Sequence, residues 1–177
     1  MKNYILTGAP GSGKTTLLEN LKHHNFSVIS EAATDVITQE QVKGIAEPWM
    51  DPSFIDKIVL LQQKRYLLSV HANETVRFFD RSPLCTYALA LYLGYAPSPL
   101  LLAEIDHIQQ SHSYEQDAFF IENLGFIAKT DARQISFEEA LKFEKIHLDT
   151  YQQFGFNCIH VPKDSVPNRI KYIIEKL

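Results

Sequence analysis

Residues Gly8-Ala9-Pro10-Gly11-Ser12-Gly13-Lys14-Thr15 fit the pattern G-x-x-x-x-G-K-[ST] and sit between a short apolar run, Tyr4 to Thr7, and a run of helical spacing that begins at Lys14. Such a pattern arises by chance about once in a few hundred chains of this length. Its placement between a strand and a helix narrows the odds further and restricts the chain to folds in which a strand turns through glycines into a helix. Glycines let consecutive backbone N–H groups point inward around an anion, the helix N-terminus adds positive potential, and Lys14 brings a full charge. This chemistry suits the phosphates of a nucleoside triphosphate. Gly8, Ala9, Pro10, Gly11, Ser12, Gly13, Lys14, Thr15 and Thr16 are the expected cradle for ATP, with the Thr15 hydroxyl an expected ligand to Mg²⁺.

The rest of the chain alternates in the same way. A helix is expected from about Lys14 to His23, with Leu17, Leu18 and Leu21 on one face. Strands are expected at Phe26 to Ser30, Val76 to Phe79, Ala118 to Ile121 and Phe156 to Val161. Between them lie helical patterns: Asp51-Pro52 to about His71, Pro83 to Tyr95, Ser98 to His112, Ser136 to Phe154 and Val166 to Leu177. Asp51, Ser98 and the box Ser136-Phe137-Glu138-Glu139 supply caps, and Gly155 a stop. The signal from Glu31 to Met50 is weak: a helix with a loop around Gly44. Five short strands separated by helices describe an α/β unit with a mostly parallel sheet covered on both faces. In such sheets ligands bind beyond the carboxyl ends of the strands.

At 177 residues the chain is expected to be one domain, 1–177, with a lid at about 125–136. Its 17 Lys plus Arg against 21 Asp plus Glu give a net charge of −4, which argues against nucleic acid or an anionic membrane as the main partner. Cys85 and Cys158 form no C-x-x-C or Cys/His cluster, so neither a disulfide scaffold nor a zinc site is expected. No apolar stretch has the length of a membrane span or the form of a signal peptide, and a cytoplasmic location is the expectation.

Two carboxylates fall at strand ends. Asp80 closes Val76-Arg77-Phe78-Phe79 and should emerge beside the phosphate loop, where it can hold Mg²⁺ through water or accept a proton from an attacking hydroxyl. Glu31 follows the second strand; a carboxylate there favours a hydroxyl acceptor over one that already carries phosphate. Arg81 can clamp a substrate or pair with a nearby carboxylate. Lys129 and Arg133 fall in a polar stretch where cations can close over a triphosphate, and Arg133 is the better candidate for charge stabilisation. Trp49, after Pro48, is a candidate wall for a flat ring. The seven histidines show no metal-ligand spacing.

Together Gly8 to Leu18, Val28-Ile29-Ser30-Glu31-Ala32-Ala33, Pro48-Trp49-Met50-Asp51, Phe79-Asp80-Arg81-Ser82-Pro83 and Thr130-Asp131-Ala132-Arg133 with Ser136 to Ala140 resemble the predicted ATPase/kinase family of small P-loop proteins. That family includes the nicotinamide riboside kinase domain of bifunctional NAD-synthesis regulators. The Asp80-Arg81-Ser82 step is also similar to that of deoxyribonucleoside kinases, in which an acidic residue after the second strand, here matching Glu31, is the base. The resemblance implies a nucleoside-kinase-like fold with strand order 2-3-1-4-5 and a lid. One departure is Ser82, where members of the predicted ATPase/kinase family often have glycine.

The resulting expectation is an ATP-dependent, Mg²⁺-using kinase that transfers the γ-phosphoryl to a hydroxyl of a small, nucleoside-like metabolite. Lys14, Asp80, Glu31 and Arg133 would carry the chemistry, and Glu31, Trp49 and Arg81 would hold the acceptor. The competing expectation is a nucleotide-dependent switch or slow ATPase that acts through a protein partner.

Overall fold

Alternation of side chains along the strands builds the two faces of the sheet. The computed structural model describes residues 1–8, 11–69, 75–124 and 137–177. Five strands, β1 (Lys2–Thr7), β2 (Ser27–Ile29), β3 (Val76–Asp80), β4 (Asp117–Ile121) and β5 (Asn157–Val161), pair in the order β2-β3-β1-β4-β5. All four pairings are parallel. This is the order that the family resemblance implies. On one face Tyr4, Leu6, Phe78, Phe119 and Ile121 meet Leu17, Leu18 and Leu21 of α1 (Lys14–His23) and Ile170 and Ile173 of α7 (Val166–Ile174). On the other, Ile5, Phe79 and Ala118 meet residues of α4 (Pro83–Tyr92), α5 (Pro99–Ser111) and α6 (Phe137–Gln153). Adjacent residues of one strand thus serve opposite layers, as the two-residue strand period requires. Fully burying each large side chain contributes about 1.5–3 kcal/mol.

A third apolar cluster joins α2 (Ala32–Val42), α3 (Ser53–Ser69), α4 and α5 around Val36, Phe54, Ile58, Val59 and Leu101. The weak signal between Glu31 and Met50 resolves into α2, a turn at Gly44 with φ +90°, and a short 3-10 turn, Pro48–Met50. The pattern is faint because α2 buries few residues, Ala32, Val36 and Glu40. Sequence-read caps appear at α3, where Asp51 Oδ1 accepts from the Ser53 N–H at 2.8 Å, and at α5, where Ser98 Oγ accepts from the Leu101 N–H at 3.1 Å. Ser136, the expected cap of α6, lies outside the described residues, as do Ala9, Pro10 and the expected lid with Lys129 and Arg133.

The register sets the site. Leu6 of β1 pairs with Asp80 of β3, so the strand that runs into the phosphate loop and the strand that ends in the acidic residue finish side by side. Ile29 of β2 pairs with Phe79, which brings Glu31 to the same edge.

Candidate active site

Gly8 opens the phosphate loop under a tight constraint. Its φ is +129°, and a Cβ there would lie 2.4 Å from the Ile121 carbonyl oxygen at the end of β4. Only glycine satisfies both. At the far end Gly13, with φ +84°, is the N-cap of α1. No acidic residue occupies the first turn of α1, so the positive end of its dipole is unopposed by the helix itself. Ser12 is buried, Gly11 half-buried, and Thr15 and Thr16 are exposed at the helix start.

Lys14 is folded back over the loop, 7% exposed. Its Nζ donates to the Gly8 carbonyl at 2.9 Å and to Ser12 Oγ at 3.2 Å. Burial first, then the charge of Arg81, push its pKa down to about 7, against the attraction of Asp80 and Glu31. The ammonium is therefore poised near its titration point when no anion is present.

Asp80 ends β3, with Oδ1 buried and lacking a hydrogen-bond partner among the described residues. Burial and the neighbouring Glu31 charge push its pKa up to about 6, although Arg81 and Lys14 pull the other way. It borders a small cavity of about 10 Å³, also lined by Ser30, Gln62, Arg65, Arg81 and Tyr114, about the space of one water. The helix cap of α4 is Ser82, yet its hydroxyl makes no capping bond; it meets the buried Tyr151 hydroxyl at 2.8 Å instead.

Arg81 and Glu31 form an ion pair, Nε to Oε1 at 2.6 Å. The Arg81 N–H donates to the Leu6 carbonyl at 3.0 Å, after which the backbone turns into the left-handed region with φ +67°. A non-glycine residue held there costs about 1–3 kcal/mol and marks a place where the surroundings over-determine the conformation. Burial would raise the Glu31 carboxyl, but Arg81, the Thr34 hydroxyl and Lys14 outweigh it and hold Glu31 below the ordinary value. Thr34 Oγ1 donates to Glu31 Oε2 at 2.8 Å, and Arg65 Nη1 donates to the Ser30 and Glu31 carbonyls at 2.9 and 2.5 Å. Arg65 also pairs with Asp35.

The fold thus brings Lys14, Asp80, Arg81 and Glu31 into one electrostatically coupled group. Trp49 stands apart from it: the half-buried ring packs on the third cluster with Ala33 and Ile37, and its carbonyl accepts from the Tyr95 hydroxyl at 2.9 Å. Among the described residues no hydrogen bond or ring contact joins Trp49 to Glu31, Asp80 or Arg81. Two residues at the site carry no local signal in the sequence. Arg169 of α7, 3% exposed, donates to the Ser12 carbonyl at 3.1 Å and to the Glu122 carbonyl at 3.3 Å. His147 of α6 is fully buried against Arg81, Nη1 to Nε2 at 3.3 Å. Both come from elements distant in sequence, so neither spacing nor periodicity singles them out.

The donor set fits a magnesium ion that arrives with nucleotide. Asp80 offers an unbonded buried oxygen and Thr15 an exposed hydroxyl, both hard oxygen ligands. Among the described residues there is no cluster of three His, Cys, Asp or Glu side chains, so most ligands would come from phosphate and water.

A five-stranded parallel sheet in this order, with the glycine-rich loop between β1 and α1, defines a P-loop protein. The chain belongs to the AAA domain family, whose model matches residues 3–169. Similar solved structures include deoxyadenosine kinase from M. mycoides with its products dCMP and dCDP, at 14% identity and a TM-score of 0.65, covering 98% of this chain and 97% of the other. The same kinase with bound dATP aligns at 16% identity and a TM-score of 0.60, covering 99% and 98%. The NadR protein in complex with NR aligns at 16% identity and a TM-score of 0.68 over 98% of this chain, which spans 49% of the length of that one. These likenesses are of fold. No curated protein matches the sequence. No helix among the described residues is long and apolar enough to cross a membrane.

Proposed function

We propose that this protein is a kinase that moves the γ-phosphoryl group of ATP to a hydroxyl of a small, nucleoside-like metabolite. The observation that carries the reading is Asp80. A buried carboxylate oxygen without a partner, on a group pushed to about 6 beside Lys14, costs stability and has no structural return in the described protein. The solved structures of the same fold, a deoxyadenosine kinase with bound nucleotides and the NadR protein with NR, support the same direction.

In this reading the loop from Gly8 to Thr16 cradles the phosphates with its backbone N–H groups, Ala9 included, while Pro10, which has no N–H, only shapes the turn, and Lys14 neutralises the β and γ groups. Thr15 and Asp80 hold the magnesium ion, which supplies charge neutralisation on the transferring phosphoryl. Glu31, kept ionised by Arg81, accepts the hydrogen bond of the acceptor hydroxyl. The transfer needs little covalent help from the protein, because its transition state is loose and positioning dominates. The acceptor oxygen bonds to the γ-phosphorus as the bond to the bridging oxygen of ADP breaks, and the hydroxyl proton passes to the Glu31 carboxylate and on to solvent. Arg81 helps hold the acceptor, and Arg133 steadies the charge on the transferring oxygens. The protein acts on soluble small molecules in the cytoplasm.

ADP release measured across a panel of nucleosides and related alcohols tests this. A rise well above the water background with one acceptor class is the expected result. Equal ADP release with every acceptor and with water alone would favour the nucleotide-dependent switch or slow ATPase.

A further inference from the structure

The imidazole of His147 is fully enclosed between α6 and the end of β3. Its Nδ1 lies 2.9 Å from the Phe143 carbonyl oxygen, and its Nε2 lies 3.3 Å from Arg81 Nη1. A carbonyl oxygen only accepts and a guanidinium only donates. One tautomer satisfies both contacts: the proton sits on Nδ1 and the lone pair on Nε2. Burial, then the charge of Arg81, push the imidazole pKa down to about 3, so the ring is neutral under physiological conditions. The Phe143 ring stands edge-on to it at 4.3 Å and fixes its plane.

Arg81 is therefore held from two sides by partners of different character. Its Nε gives a charge-assisted bond to Glu31, and its Nη1 gives a bond to a neutral nitrogen. A carboxylate in place of His147 would compete with Glu31 for the guanidinium. An apolar side chain would leave Nη1 without that acceptor and the planar fork free to turn. A neutral acceptor orients the fork and takes none of its charge.

We propose that His147 is a positioning residue for the acceptor half of the reaction: its Nε2 sets the Arg81 guanidinium in the orientation that keeps the Glu31 carboxylate aimed at the acceptor. This rests on the kinase reading above. The backbone of Arg81, already committed to the left-handed region, sets where the side chain starts, and His147 sets where it ends.

The test compares His147→Leu with His147→Gln in the 177-residue chain. Leucine fills the volume without an acceptor, whereas the glutamine Oε1 reaches the place of Nε2 and can accept from Arg81. The first readout is the Arg81 Nε–H signal in ¹⁵N-labelled protein, assigned by its loss in Arg81→Lys. Its exchange with water should quicken by about tenfold or more in His147→Leu and stay within about threefold of wild type in His147→Gln. The second is acceptor-dependent ADP release over the nucleoside panel. kcat should fall by about tenfold or more in His147→Leu with the KM for ATP within about twofold, and His147→Gln should recover most of it. Wild-type exchange in His147→Leu, or a folded His147→Gln as impaired as His147→Leu, would overturn the proposal. If wild-type protein releases no ADP in response to any acceptor, the kinase reading fails, and the exchange measurement alone decides whether His147 holds Arg81.

Discussion

A side-chain carbon on Gly8 would stand 2.4 Å from the backbone oxygen of Ile121. The phosphate loop therefore leaves β1 in contact with the end of β4, and neither backbone can yield without breaking the sheet. Gly8→Ala should destabilise the protein by roughly 2–4 kcal/mol and abolish ATP binding. Gly155→Ala is the contrast, because Gly155 also has positive φ, at +79°, but nothing within 4 Å of the added carbon; its cost should be about 1 kcal/mol. Urea unfolding of both variants measures the difference, and equal losses would show that the Ile121 contact contributes nothing.

Lys14 has a pKa of about 7 in the nucleotide-free protein, and a bound polyphosphate favours its charged form. Binding of ATP above pH 7 should therefore take up nearly a full proton, and affinity should fall as pH rises, approaching tenfold per unit. Calorimetry in buffers of different ionisation enthalpy reads the uptake. Lys14→Ala should remove detectable ATP binding, with the fold retained. An unchanged affinity in that variant would remove Lys14 from the phosphate site.

Folding raises the Asp80 pKa from 3.8 to about 6. The folded state then binds more protons than the unfolded state between those values, so this group's contribution to stability is lost as pH rises from about 4 to about 6. Asp80→Asn should erase that slope and leave the protein on the order of 1–3 kcal/mol more stable than wild type above pH 6, while turnover is lost and nucleotide affinity changes much less. Chemical unfolding at several pH values, paired with ADP release, checks both halves. Wild-type turnover in this variant would reduce Asp80 to a structural residue.

Arg169 bridges the Ser12 carbonyl of the phosphate loop and the Glu122 carbonyl just after β4. Arg169→Met removes one bond from the buried Ser12 carbonyl, at a cost of roughly 1–3 kcal/mol, and one from the part-buried Glu122 carbonyl, at less, and ATP affinity should fall by about tenfold as the loop loosens. Arg169 reaches the two carbonyls from separate nitrogens, Nη1 and Nη2, a planar fork that a lysine ammonium lacks, so Arg169→Lys should recover only part of the loss. Titration with a fluorescent ATP analogue distinguishes the outcomes; full affinity in Arg169→Met would show that the loop holds its shape unaided.

What was legible in the sequence is local. The glycine pattern, the apolar runs and the caps at Asp51 and Ser98 specify a strand, a turn and a helix within a few residues of one another, and the boundaries of α1 at Lys14 and His23 follow from that chemistry alone. Asp80 and Glu31 were legible for the same reason, since a carboxylate that ends an apolar strand must emerge at the sheet edge. Their division of character was not. Both are carboxylates at strand ends, yet the tertiary structure gives Glu31 the Arg81 guanidinium and the Thr34 hydroxyl, while Asp80 Oδ1 is buried without a hydrogen-bond partner among the described residues. Arg169 and His147 were hidden for a related reason: each acts across a long sequence separation, 157 residues from Arg169 to Ser12 and 66 from His147 to Arg81. Local sequence dictates which backbone groups can turn and which faces must be buried, whereas the pKa of a buried group depends on the charges that the fold places around it.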